Sequence, residues 1–257
     1  MAKERKRLDQ LLVDRGLATS RSHAQALIVS GNVFSGEKRL DKPGQMVPCD
    51  EPVRVRGPDH PWVSRGGVKL AHALDHFSID PQGLVCLDIG ASTGGFTHVL
   101  LTRGAARVYA VDVGHGQLAW SLRQDPRVVV LERTNARFLQ REHIPQAVDF
   151  IACDVSFIGL ETVLPAPLAL TASQAWLVAL IKPQFEVGRA QVGKRGVVRD
   201  PAARAAACER IARWLSARPG WLVLGITESP ITGPEGNVEY LLAARKNRQD
   251  GREDPTG

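Results

Sequence analysis

The hydrophobic positions of this chain fall into two stretches with different spacing. In the first stretch, Leu8, Leu11 and Leu12 recur at helical spacing, and a second short helical pattern ends before Gly31. Short β segments then follow as far as residue 56. This order of elements predicts a small α+β module over residues 5–60.

From residue 68 to residue 246, apolar runs alternate with amphipathic stretches of helical period. This alternation is typical of an α/β domain with a mainly parallel sheet, here of seven strands. The strands are predicted at 84–89, 107–112, 127–131, 148–153, 175–181, 221–227 and 237–244. Residues 61–67, which contain proline and glycine, are predicted to form an interdomain linker, and the polar segment 247–257 a disordered tail.

The stretch 85–97, VCLDIGASTGGFT, joins a predicted buried strand to a helix through a glycine-rich turn. That layout is typical of a nucleotide-cofactor site in a doubly wound α/β domain. The glycines do not follow the G-x-G-x-x-G spacing of dinucleotide sites, and the Asp88 carboxylate would repel a pyrophosphate. It would instead suit the cationic amino group of S-adenosylmethionine. The plainer alternative is that Gly90 and Gly94 only let the strand and helix pack closely.

A second acid strengthens the cofactor interpretation. Asp112 ends the next strand, about 20 residues on, where α/β nucleotide folds place an acid on ribose hydroxyls. Asn135 follows the third strand and is a candidate for the adenine edge. The predicted S-adenosylmethionine site comprises Asp88, Gly90, Ala91, Ser92, Gly94, Phe96, Asp112, Val113, Asn135, Asp154, Ser156 and Phe157.

Composition and charge limit the classes of partner and the cellular location that we expect. The 257 residues are 44% hydrophobic, which is enough for a large core and a small module, and the net charge of +6 favours a polyanionic partner such as nucleic acid. The four cysteines form no C-x-x-C pair, so we predict no metal site. No secretory signal and no apolar run of about 18 residues occurs, and we expect a cytoplasmic protein without membrane partners.

The ends of the fourth and fifth strands indicate the methyl acceptor. Asp154 lacks the Asn/Asp-Pro-Pro-aromatic context typical of base N-methyltransferases, and Cys153 lacks the context of a nucleophilic cysteine. A hydroxyl acceptor therefore becomes attractive, and a hydroxyl needs its proton removed or its lone pair aimed. Lys182 is a candidate base, if burial and neighbouring cations suppress its charge. The alternative is a lysine whose stem is buried and whose ammonium reaches solvent.

Basic residues on both stretches are candidates for RNA contacts, although a solvated charged face is the alternative. The candidates are Arg5, Lys6, Arg7, Arg21, His23, Lys38, Arg39, Arg65, Lys194 and Arg195. The glycine-containing basic loop from Glu186 to Arg199 is either a mobile lid over the acceptor or an ordinary flexible loop.

These motifs resemble the TlyA family of ribosomal RNA 2′-O-methyltransferases, some of which are labelled haemolysins, and the wider FtsJ-type group. The resemblance covers about residues 5–246. The N-terminal module, with RLDQLL at 7–12, resembles the S-four-type RNA-binding fold. Those methyltransferases use a Lys-Asp-Lys-Glu set, which the resemblance places at Lys69, Asp154, Lys182 and Glu239.

The resemblance implies a Rossmann-like methyltransferase domain over 68–246 that methylates the ribose 2′-hydroxyl of cytidine in 16S rRNA, 23S rRNA or both. Lys182 would be the base, with Lys69 and Asp154 tuning its charge and orienting the nucleophile, and Glu239 holding one lysine in place. Ribosomal RNA or ribosomal subunits are the expected partners. Two other functions stay open: an RNA-binding ribosome-assembly factor with a regulatory or vestigial cofactor site, and a membrane-lysing toxin.

Overall fold

The computed structural model describes residues 4–18, 20–29, 31–55, 60–233 and 236–247. The chain divides into two compact units, Met1–Pro61 and Trp62–Gly257. Of the predicted disordered tail, 247–257, all residues after Asn247 lie outside the described part of the chain. No helix of the described residues is long and apolar enough to cross a membrane.

The first unit is a small α+β fold, as predicted. Its helices are α1 (Leu8–Asp14) and α2 (Arg21–Val29), and its strands are β1 (Arg5–Arg7), β2 (Val33–Ser35), β3 (Lys38–Arg39), β4 (Met46–Pro48) and β5 (Val53–Val55). The strand β2 pairs antiparallel with β3 and β5, and β1, which the hydrophobic pattern did not predict, pairs antiparallel with β4. Leu8, Leu12 and Ile28 are fully buried, so the two helices bury the apolar faces that their spacing predicted.

One buried acid organises the surface of the first unit. The side chain of Asp9 in α1 has no exposed surface, and its Oδ2 accepts hydrogen bonds from Arg7 (2.9 Å), Arg21 (3.1 Å) and Gln25 (3.0 Å). The bond from Arg7, with those from Gln25 and Arg21, holds the pKa of Asp9 far below its usual range against the opposing effect of burial. Two predicted RNA-contacting arginines are therefore positioned by a single carboxylate.

We expect Asp9→Asn to weaken this unit by about 1–3 kcal/mol, because a neutral amide loses the charge-assisted bonds while the half-exposed arginines regain some solvation. The folded pKa of Asp9 is depressed, so its contribution is complete above the unfolded pKa of about 3.9 and is lost as pH falls towards the lower folded pKa. The measurement is the opening free energy of α1 in the full chain by hydrogen exchange. Asp14→Asn is the control, because it changes an exposed carboxylate of the same helix that pairs with Lys6 and accepts from Gln10. Equal losses in both variants would contradict the prediction.

The second unit is a seven-stranded sheet covered by helices on both faces. Its strands are β6 (Val85–Ile89), β7 (Arg107–Val111), β8 (Val128–Leu131), β9 (Val148–Cys153), β10 (Thr171–Ile181), β11 (Trp221–Glu228) and β12 (Tyr240–Lys246). Its α-helices are α3 (Gly66–His76), α4 (Gly95–Thr102), α5 (Trp120–Arg123), α6 (Leu160–Val163), α7 (Pro165–Ala169), α8 (Pro183–Glu186) and α9 (Pro201–Ser216). Short 3₁₀ turns lie at Ala136–Phe138, Arg189–Gln191 and Lys194–Gly196.

The strand order is β11-β12-β10-β9-β6-β7-β8. β12 runs antiparallel to both of its neighbours, and the other pairs are parallel, which confirms the predicted Rossmann-like, mainly parallel sheet. Successive side chains of the central strand β9 pack in different hydrophobic clusters, one on each face of the sheet. Phe150 packs in the cluster with α3 and α4, whereas Ile151 packs in the cluster with α6, α7 and α9. Burial on both faces explains the near-continuous apolar runs of the central strands.

The predicted linker over 61–67 differs from the structure. The second unit begins at Trp62, and α3 begins at Gly66. A Cβ atom on Gly67 would lie 2.4 Å from Cγ of Trp62, and the Trp62 ring meets the edge of His98 with 5.7 Å between ring centroids. The glycine that suggested a flexible linker therefore lets the first turn of α3 pack against the indole.

Strand register brings four chain segments to one edge of the sheet. Ile89 at the end of β6 pairs with Cys153 at the end of β9, and Cys153 also pairs with Ala179 near the end of β10. Because β12 is antiparallel, it begins at the same edge, where Tyr240 pairs with Ile181. The residues just beyond these strand ends form the site described next.

Candidate active site

The turn after β6 brings two strand ends into close contact. Gly90 has a φ of +82°, and a Cβ atom there would lie 2.3 Å from the carbonyl oxygen of Asp154. Both the left-handed backbone and this approach require glycine. Gly94 has a φ of +95°, and its Cβ would lie 2.3 Å from Cδ1 of Leu122, so close packing accounts for this second glycine.

A cavity of about 470 Å³ opens beside the turn. The Asp112 carboxylate in its wall is oriented by two backbone amides: Ser92 N–H donates to Oδ2 (2.8 Å), and Gly114 N–H donates to Oδ1 (2.6 Å). The predicted cofactor residues in its wall are Gly90, Ser92, Asp112, Val113, Asn135, Asp154, Ser156 and Phe157. Val111, Ala136 and Ile158 add apolar surface to the same cavity.

Asp88 differs from its prediction. The sequence predicted that its carboxylate faces the cofactor, but Asp88 is fully buried and lines neither of the two cavities at this edge. Thr97 Oγ1 donates to its Oδ2 at 2.6 Å, and its Oδ1 has no hydrogen-bond partner among the described residues. Burial raises the pKa of Asp88 to about 7. Asp88 therefore does not contact a ligand in either cavity directly.

A second cavity, of about 340 Å³, adjoins the first. Gly90, Ser92 and Asp154 line both cavities, so the two meet along the edge that these residues form. Ala91 and Phe96, which were predicted to bind the cofactor, line this second cavity instead of the first. Lys69 and Lys182 also lie in its wall, although both side chains are largely buried.

Each buried lysine is paired with a carboxylate. Lys69 Nζ donates to Glu239 Oε2 at 2.5 Å, and the Glu239 side chain has no exposed surface. The Nζ atom of Lys182 lies 2.6 Å from Asp154 Oδ1 and donates to Ser156 Oγ at 2.9 Å. The structure thus gathers the four residues predicted to be catalytic at one sheet edge. The alternative in which Lys182 reaches solvent is wrong, because its ammonium is held in a buried ion pair.

The loop after β11 supplies residues that the sequence analysis missed. Ile231, Thr232 and Gly233 line the second cavity, as does Ser64 before α3. A Cβ atom on Gly233 would lie 2.2 Å from Oε1 of Glu239, so only glycine lets this loop cover the carboxylate. Gly233, six residues before Glu239, was the available signal in the sequence. Spacing alone could not show that this glycine packs on the carboxylate that pairs with Lys69.

The predicted RNA-contacting residues are spread over both units. Arg5, Lys38 and Arg39 are exposed in strands of the first unit, and His23 is exposed in α2. Lys6 pairs with Asp14 at 2.5 Å, which offsets its charge. In the second unit, Arg65 lies in the wall of the second cavity and Lys194 is exposed, whereas the Arg195 side chain lies outside the described part of the chain.

The loop between Glu186 and Arg199 is fastened near its far end. Asn237 Oδ1 accepts a hydrogen bond from Val198 N–H at 3.1 Å, and Asn237 Nδ2 donates to the Gly196 carbonyl at 3.0 Å. This anchor ties the loop to the segment that carries Glu239. The lid function of the loop stays a prediction.

Cysteine chemistry does not explain the site. Cys153 is fully buried, and burial raises the pKa of its thiol well above the usual range, which disfavours the thiolate that a nucleophile needs. Across the described residues, no group of three or more His, Cys, Asp or Glu side chains could hold a metal ion.

Family models match nearly the whole chain. The model described as FtsJ-like methyltransferase matches residues 62–246, and the S4 domain model matches residues 6–50. The chain belongs to the FtsJ-like methyltransferase family. The predicted resemblance to TlyA proteins within this family is confirmed, because the Mycobacterium tuberculosis protein named 16S/23S rRNA (cytidine-2′-O)-methyltransferase TlyA is 52% identical over 242 residues, covering 94% of this chain and 90% of that protein.

Two further relatives are similar to this chain at lower sequence identity. The Campylobacter jejuni protein named 23S rRNA (cytidine-2′-O)-methyltransferase TlyA is 38% identical over 187 residues, covering 72% of each chain. A solved Streptococcus thermophilus structure described as a hemolysin superposes with a TM-score of 0.73 at 39% identity, covering 99% of this chain and 93% of that one. Both domains are therefore shared with a relative of known structure.

We expect Gly90→Ala to destabilise the methyltransferase unit by about 1–3 kcal/mol more than Gly116→Ala does. Both glycines have positive φ, so each substitution costs about 1–2 kcal/mol in backbone strain. A Cβ on Gly116 meets nothing within 4 Å, whereas one on Gly90 would overlap the Asp154 backbone. Urea unfolding followed by tryptophan fluorescence measures the difference, since all five tryptophans lie at or after residue 62. Equal destabilisation would show that the contact between Gly90 and the Asp154 backbone imposes no constraint.

Proposed function

We propose that this protein transfers a methyl group from S-adenosylmethionine to the ribose 2′-hydroxyl of a cytidine in ribosomal RNA. The observation that carries the proposal is the junction of the two cavities. One cavity has the lining of a nucleotide site, the other contains two buried lysines, and Asp154 lies in the wall of both. A methyl donor and a hydroxyl acceptor in adjoining cavities would meet beside the ion pair of Asp154 and Lys182.

The first cavity fits S-adenosylmethionine. Its volume of about 470 Å³ lies within the range of about 300–1,000 Å³ that small-molecule sites occupy. The Asp112 carboxylate, oriented by two backbone amides, suits the ribose hydroxyls of the cofactor, and the apolar walls suit the adenine. Gly90 keeps the floor of the turn free of a side chain. When bound, the cofactor supplies a methyl group already activated by a sulfonium.

Lys182 is the residue best placed to manage the proton of the acceptor hydroxyl. A charged lysine has three N–H groups; Ser156 accepts from one of them and Asp154 forms an ion pair with the same nitrogen, so Nζ keeps at least one position for a group in the second cavity. In its neutral form the same nitrogen accepts a proton from the hydroxyl as the methyl group is transferred. Asp154 and Ser156 fix the direction of this nitrogen, and orientation of this kind is the main contribution we assign to the protein.

Lys69 and Glu239 complete the electrostatic setting. Their ion pair is almost fully buried, and Lys69 also lies in the wall of the second cavity. Because Glu239 compensates the charge of Lys69, a second cation can be kept at this edge of the sheet without strong repulsion of Lys182. Lys69 then offers a positive group to the acceptor nucleotide.

The first unit supports an RNA substrate. The S4 domain match covers residues 6–50, and β3 and α2 expose basic side chains there. Contacts of this kind with phosphates provide affinity and orientation without reading the sequence. Ribosomal RNA or a ribosomal subunit is the partner that we propose, with a cytoplasmic location as its corollary. The relative named for both rRNAs and the relative named for 23S rRNA alone make either subunit a candidate substrate.

We expect Lys182→Ala to lower methyl transfer to ribosomal subunits by about 100-fold or more while S-adenosylmethionine affinity stays within about twofold, because the residue acts on the acceptor proton. The measurement uses labelled cofactor, separate small and large subunits, and mapping of 2′-O-methyl positions. Lys246→Ala is the matched control, since Lys246 is bonded to Thr171 at the opposite edge of the sheet.

Three outcomes would contradict the proposed function. Methyl groups found only on bases would contradict the assignment of the acceptor. Tight binding of wild-type protein to subunits without methyl transfer to either would favour the ribosome-assembly alternative. Leakage of protein-free liposomes caused by the pure protein, without methyl transfer, would favour the toxin alternative.

A further inference from the structure

The loop after β9 and the turn after β10 each carry half of an ion pair and run side by side. The first contains Asp154, Ser156 and Phe157, and the second contains Lys182 and Phe185. Besides the pairing of Lys182 with Asp154, the rings of Phe157 and Phe185 lie with centroids 5.0 Å apart. These contacts join the two segments near the site, but Phe157 is 91% exposed and cannot by itself hold a loop in place.

A buried carboxylate joins the same two segments farther from the site. The side chain of Glu186, at the end of α8, is 3% exposed, and its Oε1 accepts a hydrogen bond from Leu160 N–H at 2.8 Å. Leu160 is the first residue of α6 and ends the loop that begins at Asp154. A Cβ atom on Gly159 would lie 3.3 Å from Oε2 of Glu186, so the loop backbone packs directly on the carboxylate.

Arg210 of α9 holds that carboxylate from the other side. Its Nη2 donates to Oε2 of Glu186 at 2.9 Å and to the Glu186 carbonyl oxygen at 2.8 Å. Its Nη1 donates to Glu161 in α6. Arg210 therefore binds both the turn after β10 and the helix that follows the loop after β9.

We propose that Glu186 and Arg210 form a clasp that keeps these two segments in register, and that Glu186 is a positioning residue for Lys182. The turn α8 is only four residues long and has Lys182 at its amino end and Glu186 at its carboxyl end. A fixed Glu186 therefore restricts the backbone from which Lys182 extends. The same carboxylate restricts the loop that carries Asp154 and Ser156, the two partners of the Lys182 ammonium. The clasp rests on the proposed function in one respect, namely that Lys182 serves methyl transfer.

The chain offers a matched set of variants. Glu186→Ala removes both carboxylate bonds of the clasp and leaves only the bond from Arg210 to the backbone carbonyl. Glu186→Gln keeps an oxygen that can accept from Leu160 N–H but loses the charge and the second acceptor oxygen that faces Arg210. Glu161→Gln is the control, because Glu161 pairs with the same Arg210 but is about one-third exposed. Among the described residues, Arg210 is the only side-chain hydrogen-bond partner of Glu161.

The test measures steady-state methyl transfer by the full chain to the ribosomal subunit that the wild-type protein modifies. We expect Glu186→Ala to lower kcat by about 10- to 100-fold with the KM for the subunit within about twofold, because misplacement of a reacting group affects the chemical step. Glu186→Gln should recover most of kcat, and Glu161→Gln should stay within about twofold of wild type. A purely structural role would also lower apparent kcat with KM unchanged, because fewer molecules are active, so kcat is normalised to the number of sites that bind S-adenosylmethionine. A normalised kcat equal to that of wild type would show a purely structural role and overturn the clasp.

Hydrogen exchange supplies a readout that does not depend on activity. Amides of residues 155–160 should exchange at least about tenfold faster in Glu186→Ala, and at the wild-type rate in Glu161→Gln. A kcat within twofold of wild type for Glu186→Ala, equal losses in the two glutamate positions, or unchanged exchange would overturn the clasp. Absence of methyl transfer by the wild-type protein would overturn the proposed function instead, and the clasp would then be judged on exchange alone.

Discussion

The close approach of Gly90 to the backbone of Asp154 is the constraint on which the site depends. It aligns the ends of β6 and β9, and the parallel pairing of β9 with β10 then places Lys182 at the same edge. Because the lining of both cavities includes Gly90 and Asp154, the contact also sets where the two cavities meet. A side chain at position 90 would therefore disturb the sheet edge and both cavities together.

The two ion pairs at this sheet edge are costly for folding, because Lys69, Glu239 and Lys182 are at least nine-tenths buried and Asp154 is only 19% exposed. Removing a lysine and a carboxylate from water requires several kcal/mol for each ion, and their attraction in the interior returns roughly that amount. A hydrophobic pair would fill the same space without this desolvation cost. Lys69 with Glu239, and Lys182 with Asp154, thus mark a place where local stability is given up for charges in fixed positions, as functional sites commonly show.

Much of this arrangement could be predicted from the sequence, because the spacing of hydrophobic residues and the residues that follow each strand are both local properties of the chain. The apolar runs before Asp112 and Asp154 identified their strands, and the glycine turn lies beside a cavity at the end of β6, as its position predicted. The burial of Asp88 was not predicted, and neither was its hydrogen bond with Thr97, which lies in the first turn of α4. Nor could spacing reveal that Gly67 packs against Trp62, so that the second unit begins at Trp62, within the predicted linker.

The antiparallel placement of β12 has a consequence for the order of assembly during synthesis. In the sheet, β11 pairs only with β12, and Lys69 finds its carboxylate only in the residue that precedes β12. This strand lies later in the chain than every other strand of the sheet, yet it inserts between two that are made before it. The emerging polypeptide therefore contains the glycine turn after β6 and Lys182 well before the last strand is made. A partly translated chain has every residue that lines the first cavity but lacks part of the lining of the second.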